Sequence, residues 1–160
     1  MTRQERTKGR ALLKFWYNES THEERESGRT WYDEAKDYAN VLSLQFDVPK
    51  LICAGVISAL SPNNKWGRNK IDAHAVLDAV SKGIPPDQVK VCTYNNNKYK
   101  AFSIAQGDMR ILKQSPKTYA FARNISGEDT HQVTIDKWHL RAIQTSSKSP
   151  KNCKTTVTPL

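Results

Sequence analysis

The sequence predicts an all-α fold, on three observations. Apolar side chains recur every three to four residues along most of the chain, the repeat of one helix face. The run from Leu51 to Leu60 is apolar on nearly every side, as in a buried central helix. No segment sustains the two-residue alternation of a half-buried strand.

The elements follow in order. Ala11 to Tyr17 reads as a short apolar helix, and the polar segment His22 to Gly28 as a loop. Thr30 is the expected N-cap of the next helix, with Asp33 three residues on, where an acid suits the positive helix start. That helix carries Tyr32, Ala35, Tyr38, Ala39, Leu42 and Phe46 as one stripe. Pro49 marks a new first turn before Leu51–Leu60. Ser61-Pro62-Asn63-Asn64 breaks the pattern, and Trp66 to Val80 resumes it, with Ala73, Val76, Leu77 and Val80 on one face. Gly83 to Pro86 ends that helix. Asn95-Asn96-Asn97 is a loop or cap before a helix carrying Ala101, Ile104 and Ala105. Met109 to Leu112 is a short helix. Ser115 can cap another, with Pro116 as its first residue, Lys117 and Thr118 in its first turn, and Tyr119, Phe121, Ala122 and Ile125 on its buried side. Asp136 can cap the last helix, Trp138 to Ile143.

At 160 residues the chain is long enough for one domain with a sizeable core. The expected organisation is a single helical domain over residues 1–143 and a polar stretch over 144–160, with the composition of a loop or disordered tail. No run of roughly eighteen apolar residues suggests a membrane span. The start, Met1-Thr2-Arg3-Gln4-Glu5-Arg6, is polar and carries no apolar leader. The expected location is cytoplasmic, the host cytoplasm if the protein is viral. Cys53, Cys92 and Cys153 are odd in number and widely spaced, giving neither a disulfide framework nor zinc or iron–sulfur spacing. His22, Glu23, Glu24 and Glu26 lack a second histidine at ligand spacing. His131 and His139 are isolated. No metal and no cofactor is implied.

The net charge is +9. Residues 1–60 hold nine basic and nine acidic side chains, whereas residues 61–124 hold eleven basic and four acidic. A basic block of this kind attracts phosphate backbones and releases their counterions. The same block is also consistent with a basic surface that has no partner.

Two residues carry candidate chemistry. Lys117 sits at a predicted helix start, where the positive end of the helix dipole disfavours an ammonium, and a neutral amine can attack an anomeric carbon to form a Schiff base. It can equally be a surface lysine or a phosphate contact. Asp136 follows the triplet Val133-Thr134-Ile135, nineteen positions on, with Gly127 in the turn between. A carboxylate there can stabilise oxocarbenium charge on a sugar or orient a nucleophile. It also suits a plain N-cap.

The pairing resembles the catalytic segment of the helix-hairpin-helix DNA glycosylases, where a lysine (in the bifunctional members) and an aspartate stand at about this separation. Val56 to Ser61, followed by Asn69, Ala73 and Leu77, is similar to the family's early block. Tyr94 to Lys98 with Ala101 and Ile104 resembles its Asn-x-Lys-Ala helix. Arg141 stands five after Asp136, as a basic residue often does there. The blocks run over residues 51–143 in the family's order. The resemblance implies a helix-hairpin-helix glycosylase-like bundle that extrudes a damaged or modified base from duplex DNA. It makes Asp136 and Lys117 catalytic and Trp66 and Trp138 walls of the base pocket. Asn63 or Asn64 would fill the gap left in the duplex. Lys65, Arg68, Lys98, Lys113, Ser115 and Arg141 would add DNA contacts that read no sequence. The family's hairpin usually reads Leu-Pro-Gly-x-Gly, whereas Ile111-Leu112-Lys113-Gln114-Ser115 has neither glycine, which leaves phosphate to the side chains of Lys113, Ser115 and Lys117. The segments Ala59 to Asn63 with Trp66 and Asn69, and Ile135 to His139, also resemble small bacteriophage proteins of unassigned activity. A non-catalytic DNA-binding module on the same bundle is the alternative. A membrane is not an expected partner, and the oligomeric state stays open.

Overall fold

The computed structural model describes residues 2–128 and 133–145. Among them the regular structure is helical throughout: α1 (Arg3–Glu19), α2 (His22–Phe46), α3 (Lys50–Leu60), α4 (Trp66–Ser81), a 3-10 turn (Pro86–Gln88), α5 (Asn95–Ala105), α6 (Met109–Lys113), α7 (Pro116–Ser126) and α8 (Lys137–Ala142). The fold is all-α, and among the described residues no single helix is long and apolar enough to cross a membrane. The chain groups into two compact units. One takes Met1–Trp31 and Ile135–Leu160; the other is Tyr32–Thr134. The division falls within α2. The polar stretch after Thr145, with Cys153, lies outside the described residues, as does His131.

The first unit begins earlier than expected. Thr2 and Glu5 form a capping box: the Thr2 hydroxyl accepts from the Glu5 amide at 3.2 Å, and the Glu5 carboxylate accepts from the Thr2 amide at 2.6 Å. The helix therefore starts at Arg3 rather than Ala11. The expected loop His22–Gly28 is also helical. Thr21 and Glu24 repeat the reciprocal pair at 3.1 and 2.8 Å, which starts α2 at His22. Thr30 accordingly lies inside α2, with its hydroxyl turned back onto the Glu26 carbonyl at 3.0 Å, and it caps nothing. The Arg25 guanidinium donates to the carbonyls of Tyr17 and Ser20, which holds the corner between the helices. Short α8 packs on α1. Gly9 is buried against Ile143, and the Trp16 indole donates to the Thr145 carbonyl at 3.0 Å.

In the second unit α3 is the centre. Eight consecutive residues, Cys53–Leu60, are buried. Burying Val56, Ile57 and Leu60 contributes on the order of 2 kcal/mol each. Helices α4, α5, α6 and α7 pack around α3. Gly55 permits the closest approach: a Cβ there would lie 2.8 Å from Ile104 of α5 and 3.3 Å from Leu112 of α6. Two polar side chains at this core donate to backbone carbonyls, although Asn69 Oδ1 is buried with no hydrogen-bond partner. The Ser58 hydroxyl donates to the Thr118 carbonyl at 2.6 Å, and the Asn69 amide to the Ile57 carbonyl at 3.1 Å. The remaining length of α2 is fixed to α4 by Tyr38, whose hydroxyl donates to the Lys70 carbonyl at 2.8 Å, and by Phe46 edge-on to His74.

Two glycines give opposite expectations. Gly55→Val should cost about 1–3 kcal/mol through overpacking. Gly67, in the first turn of α4, has nothing within 4 Å of its added Cβ, and Gly67→Ala should stabilise by up to about 1 kcal/mol through backbone entropy. Urea unfolding midpoints of the two variants check both signs.

Candidate nucleic-acid interface

The turn between α3 and α4 is organised by a buried carboxylate. Asp72 is fully buried and accepts from Arg68 Nε at 2.9 Å, Asn64 Nδ2 at 2.9 Å and the Cys92 amide at 2.8 Å. One side chain thus ties the turn, the first coil of α4 and the segment before α5. Asn63 adopts a left-handed φ of 55°, which asparagine tolerates. It is exposed, and its amide donates to the Tyr94 hydroxyl at 2.7 Å. Asn64 is half-buried and committed to Asp72 and the Leu60 carbonyl, so it is not free to fill a gap in a duplex. Lys65 is exposed as the N-cap residue of α4. Arg68 is split between Asp72 and solvent, with 43% of its side chain exposed. Trp66 is half-buried, edge-on to Tyr38, with the Lys70 ammonium 5.6 Å from its ring centre. Beside it a groove of about 420 Å3 is lined by Tyr38, Gly67, Lys70, Ile71 and His74.

The hairpin between α6 and α7 supplies the second group. Its turn is two residues, Gln114 and Ser115, flanked by exposed Lys113 and Lys117. Ser115 occupies the N-cap position, but its hydroxyl pairs with the Thr118 hydroxyl at 2.9 Å rather than with a backbone amide. Lys117 is exposed in the first turn of α7. The Ser58–Thr118 hydrogen bond holds the start of α7 beside the last turn of α3. The hairpin and the Asn63–Arg68 turn therefore emerge at the same end of that helix.

Lys98 must be removed from the expected interface. It is only 7% exposed, and its ammonium donates to the Val89 carbonyl at 3.2 Å, because α5 packs that face inward. The four acids of the basic block are all engaged: Asp72 by Arg68, Asp78 by Lys82 at 2.8 Å, Asp108 by Arg110 at 2.9 Å, and Asp87 by the Tyr99 hydroxyl. Exposed Lys65, Lys90, Lys113 and Lys117 form no ion pair among the described residues.

Asp136 belongs to the other unit, where it is the N-cap of α8. Its Oδ1 accepts from the amides of Trp138 and His139 at 2.9 and 3.2 Å and lies 2.8 Å from His139 Nδ1. Partial burial alone would raise its pKa; the His139 ring and the two amides outweigh that and hold it below the usual carboxylate range. Trp138 is 59% exposed, with the guanidinium of half-buried Arg141 4.9 Å from its ring centre. Asp136, Trp138 and Arg141 are thus assembled on α8, and Asn63, Lys65, Trp66, Arg68, Lys113, Ser115 and Lys117 in the second unit. Among the described residues, no three of the His, Cys, Asp and Glu side chains are grouped to hold a metal.

Asp72 escaped the sequence reading, although its four-residue spacing from Arg68, with Asn64 four residues further back in the preceding turn, was a usable signal. Asp72→Ala should strand three donors and cost at least about 2 kcal/mol in urea unfolding. Asp136→Ala should cost about 1 kcal/mol through loss of the cap. A folded pKa below the unfolded one gives stability that is complete above the ordinary carboxylate range and is lost as pH falls through the lowered value. The gap between wild type and Asp136→Ala should therefore close in acid, which thermal unfolding across pH reads directly.

No curated protein and no solved structure matches the chain. A family model does, over residues 2–157. The chain belongs to that family, a family of unknown function designated DUF7178.

Proposed function

We propose that the protein binds duplex DNA through its phosphate backbone, without reading sequence, and that the α6–α7 hairpin is the main contact. The observation that carries this is the pair of exposed, carboxylate-free lysines, Lys113 and Lys117, on either side of a two-residue turn. Lys65 and the solvent-facing part of Arg68 extend the same charge at the same end of α3. Cations arranged this way gain affinity by releasing condensed counterions. Exposed Asn63 would add a polar contact beside these cations. The segment that holds it is braced by Asp72.

Base excision is the second reading, favoured by the ordered resemblance over residues 51–143 and by an aspartate at a helix start. In it water adds to the anomeric carbon, the base leaves with the bond electrons and takes up the proton that the water gives up, and Asp136 at the start of α8 stabilises the oxocarbenium charge. A cytoplasmic location, or a host cytoplasm, goes with either reading.

Lys113→Gln with Lys117→Gln should weaken binding about equally across duplex sequences and reduce the salt slope by about 1 to 2. Fluorescence anisotropy over a salt series measures both, and unchanged affinity removes the hairpin from the interface. Duplexes carrying uracil, oxidised or alkylated bases, mismatches or abasic sites separate the two readings. Release or borohydride trapping that disappears in Asp136→Asn establishes excision, whereas binding without release supports the backbone-binding reading.

A further inference from the structure

We propose that α1 is a second nucleic-acid contact, a basic stripe that lies along a phosphate backbone. It uses none of the hairpin residues and shares with the proposed function only the class of partner. Arg3, Arg6, Arg10 and Lys14 follow one another at steps of three, four and four residues. At 3.6 residues per turn they fall within an arc of about 80° and extend over about 16 Å. All four are exposed, and none forms an ion pair among the described residues.

The helix holds five basic residues and two acids, Glu5 and Glu19. Glu5 is drawn to the Thr2 amide in the capping box. Like charges at four-residue steps destabilise a helix by a few tenths of a kcal/mol per pair. The stripe thus works against the helix that carries it, and that cost is met by the capping box and by packing on α8. The balanced charge of the first sixty residues concealed this, because their acids are concentrated in α2.

The choice of partner follows from the other side of α1. A helix that lies in a membrane interface needs its apolar face free to enter the lipid. Here the middle of that face is used: Gly9 is buried against Ile143, Leu12 is half-buried, and Trp16 donates to the Thr145 carbonyl. The exposed large apolar side chains, Leu13, Phe15 and Tyr17, lie only in the last two turns, and the first two turns present outward a row of cations whose three guanidinium groups suit bidentate phosphate contact. Measured along the duplex axis, about 16 Å spans about five phosphates of each strand.

The test uses the full chain, a labelled duplex and anisotropy over a salt series. The variant Arg3→Gln/Arg6→Gln/Arg10→Gln/Lys14→Gln should lose about tenfold or more in affinity, and its slope of log K against log salt should fall by about 3. Converting the three arginines to lysine should keep most of that slope. Lys113→Gln/Lys117→Gln should lose its own, separate increment, so failure of the stripe and failure of the hairpin read differently. Loss of helicity in the quadruple variant, seen by circular dichroism, transfers the test to Arg6→Gln/Arg10→Gln, whose slope must fall by about 2. Unchanged affinity and slope would overturn the inference. So would loss of binding to phosphatidylserine vesicles in the variant while duplex affinity stays the same.

Discussion

Everything in the larger unit depends on giving α3 no face to water. Eight consecutive buried residues require neighbours on every side. Helices α4, α5, α6 and α7 supply them, and Gly55 lets α5 and α6 close to contact distance. The consequence reaches the surface. The chain leaves α3 directly into the Asn63–Arg68 turn, and Ser58 holds the start of α7 beside the same end. Two segments distant in sequence become neighbours because both are attached to one enclosed helix. This is how a core constraint produces a shared basic surface.

Electrostatics complete that surface by subtraction. Eleven basic side chains face four acids in the basic block, so cations remain after the local pairs form. Asp72 is drawn fully inside, and Asp78, Asp87 and Asp108 are held by local partners. A positive field then survives outside. In the smaller unit α1 carries an excess of its own, five basic residues against two acids.

The fold class was legible because apolar period is a strong signal: α3 and α4 fall where the pattern put them, within a residue or two. The errors came where polar composition was read as loop. His22–Gly28 is polar on all sides and contains glycine, yet Thr21 and Glu24 cap it reciprocally, and Glu26 pairs with Arg29 along its surface. The same capping signal, Thr2 with Glu5, started α1 eight residues early. The candidate site was partly legible. Exposed Lys113 and Lys117 follow from sequence, because a short turn between two helices must face outward. The fates of Lys98 and Asn64 do not, because tertiary packing decides whether a polar side chain meets solvent or a buried partner. Asp136 was readable as a cap, and a cap is what its hydrogen bonds make it.

A nitrogen-15 NMR titration of the full chain with a short duplex at low salt would show whether cations braced by a helical core meet a nucleic-acid backbone. Amide shifts should concentrate at Asn63–Arg68, at Lys113–Thr118 and along Arg3–Lys14, with the buried amides of α3 little moved. No shifts, or shifts confined to other surfaces, would contradict it.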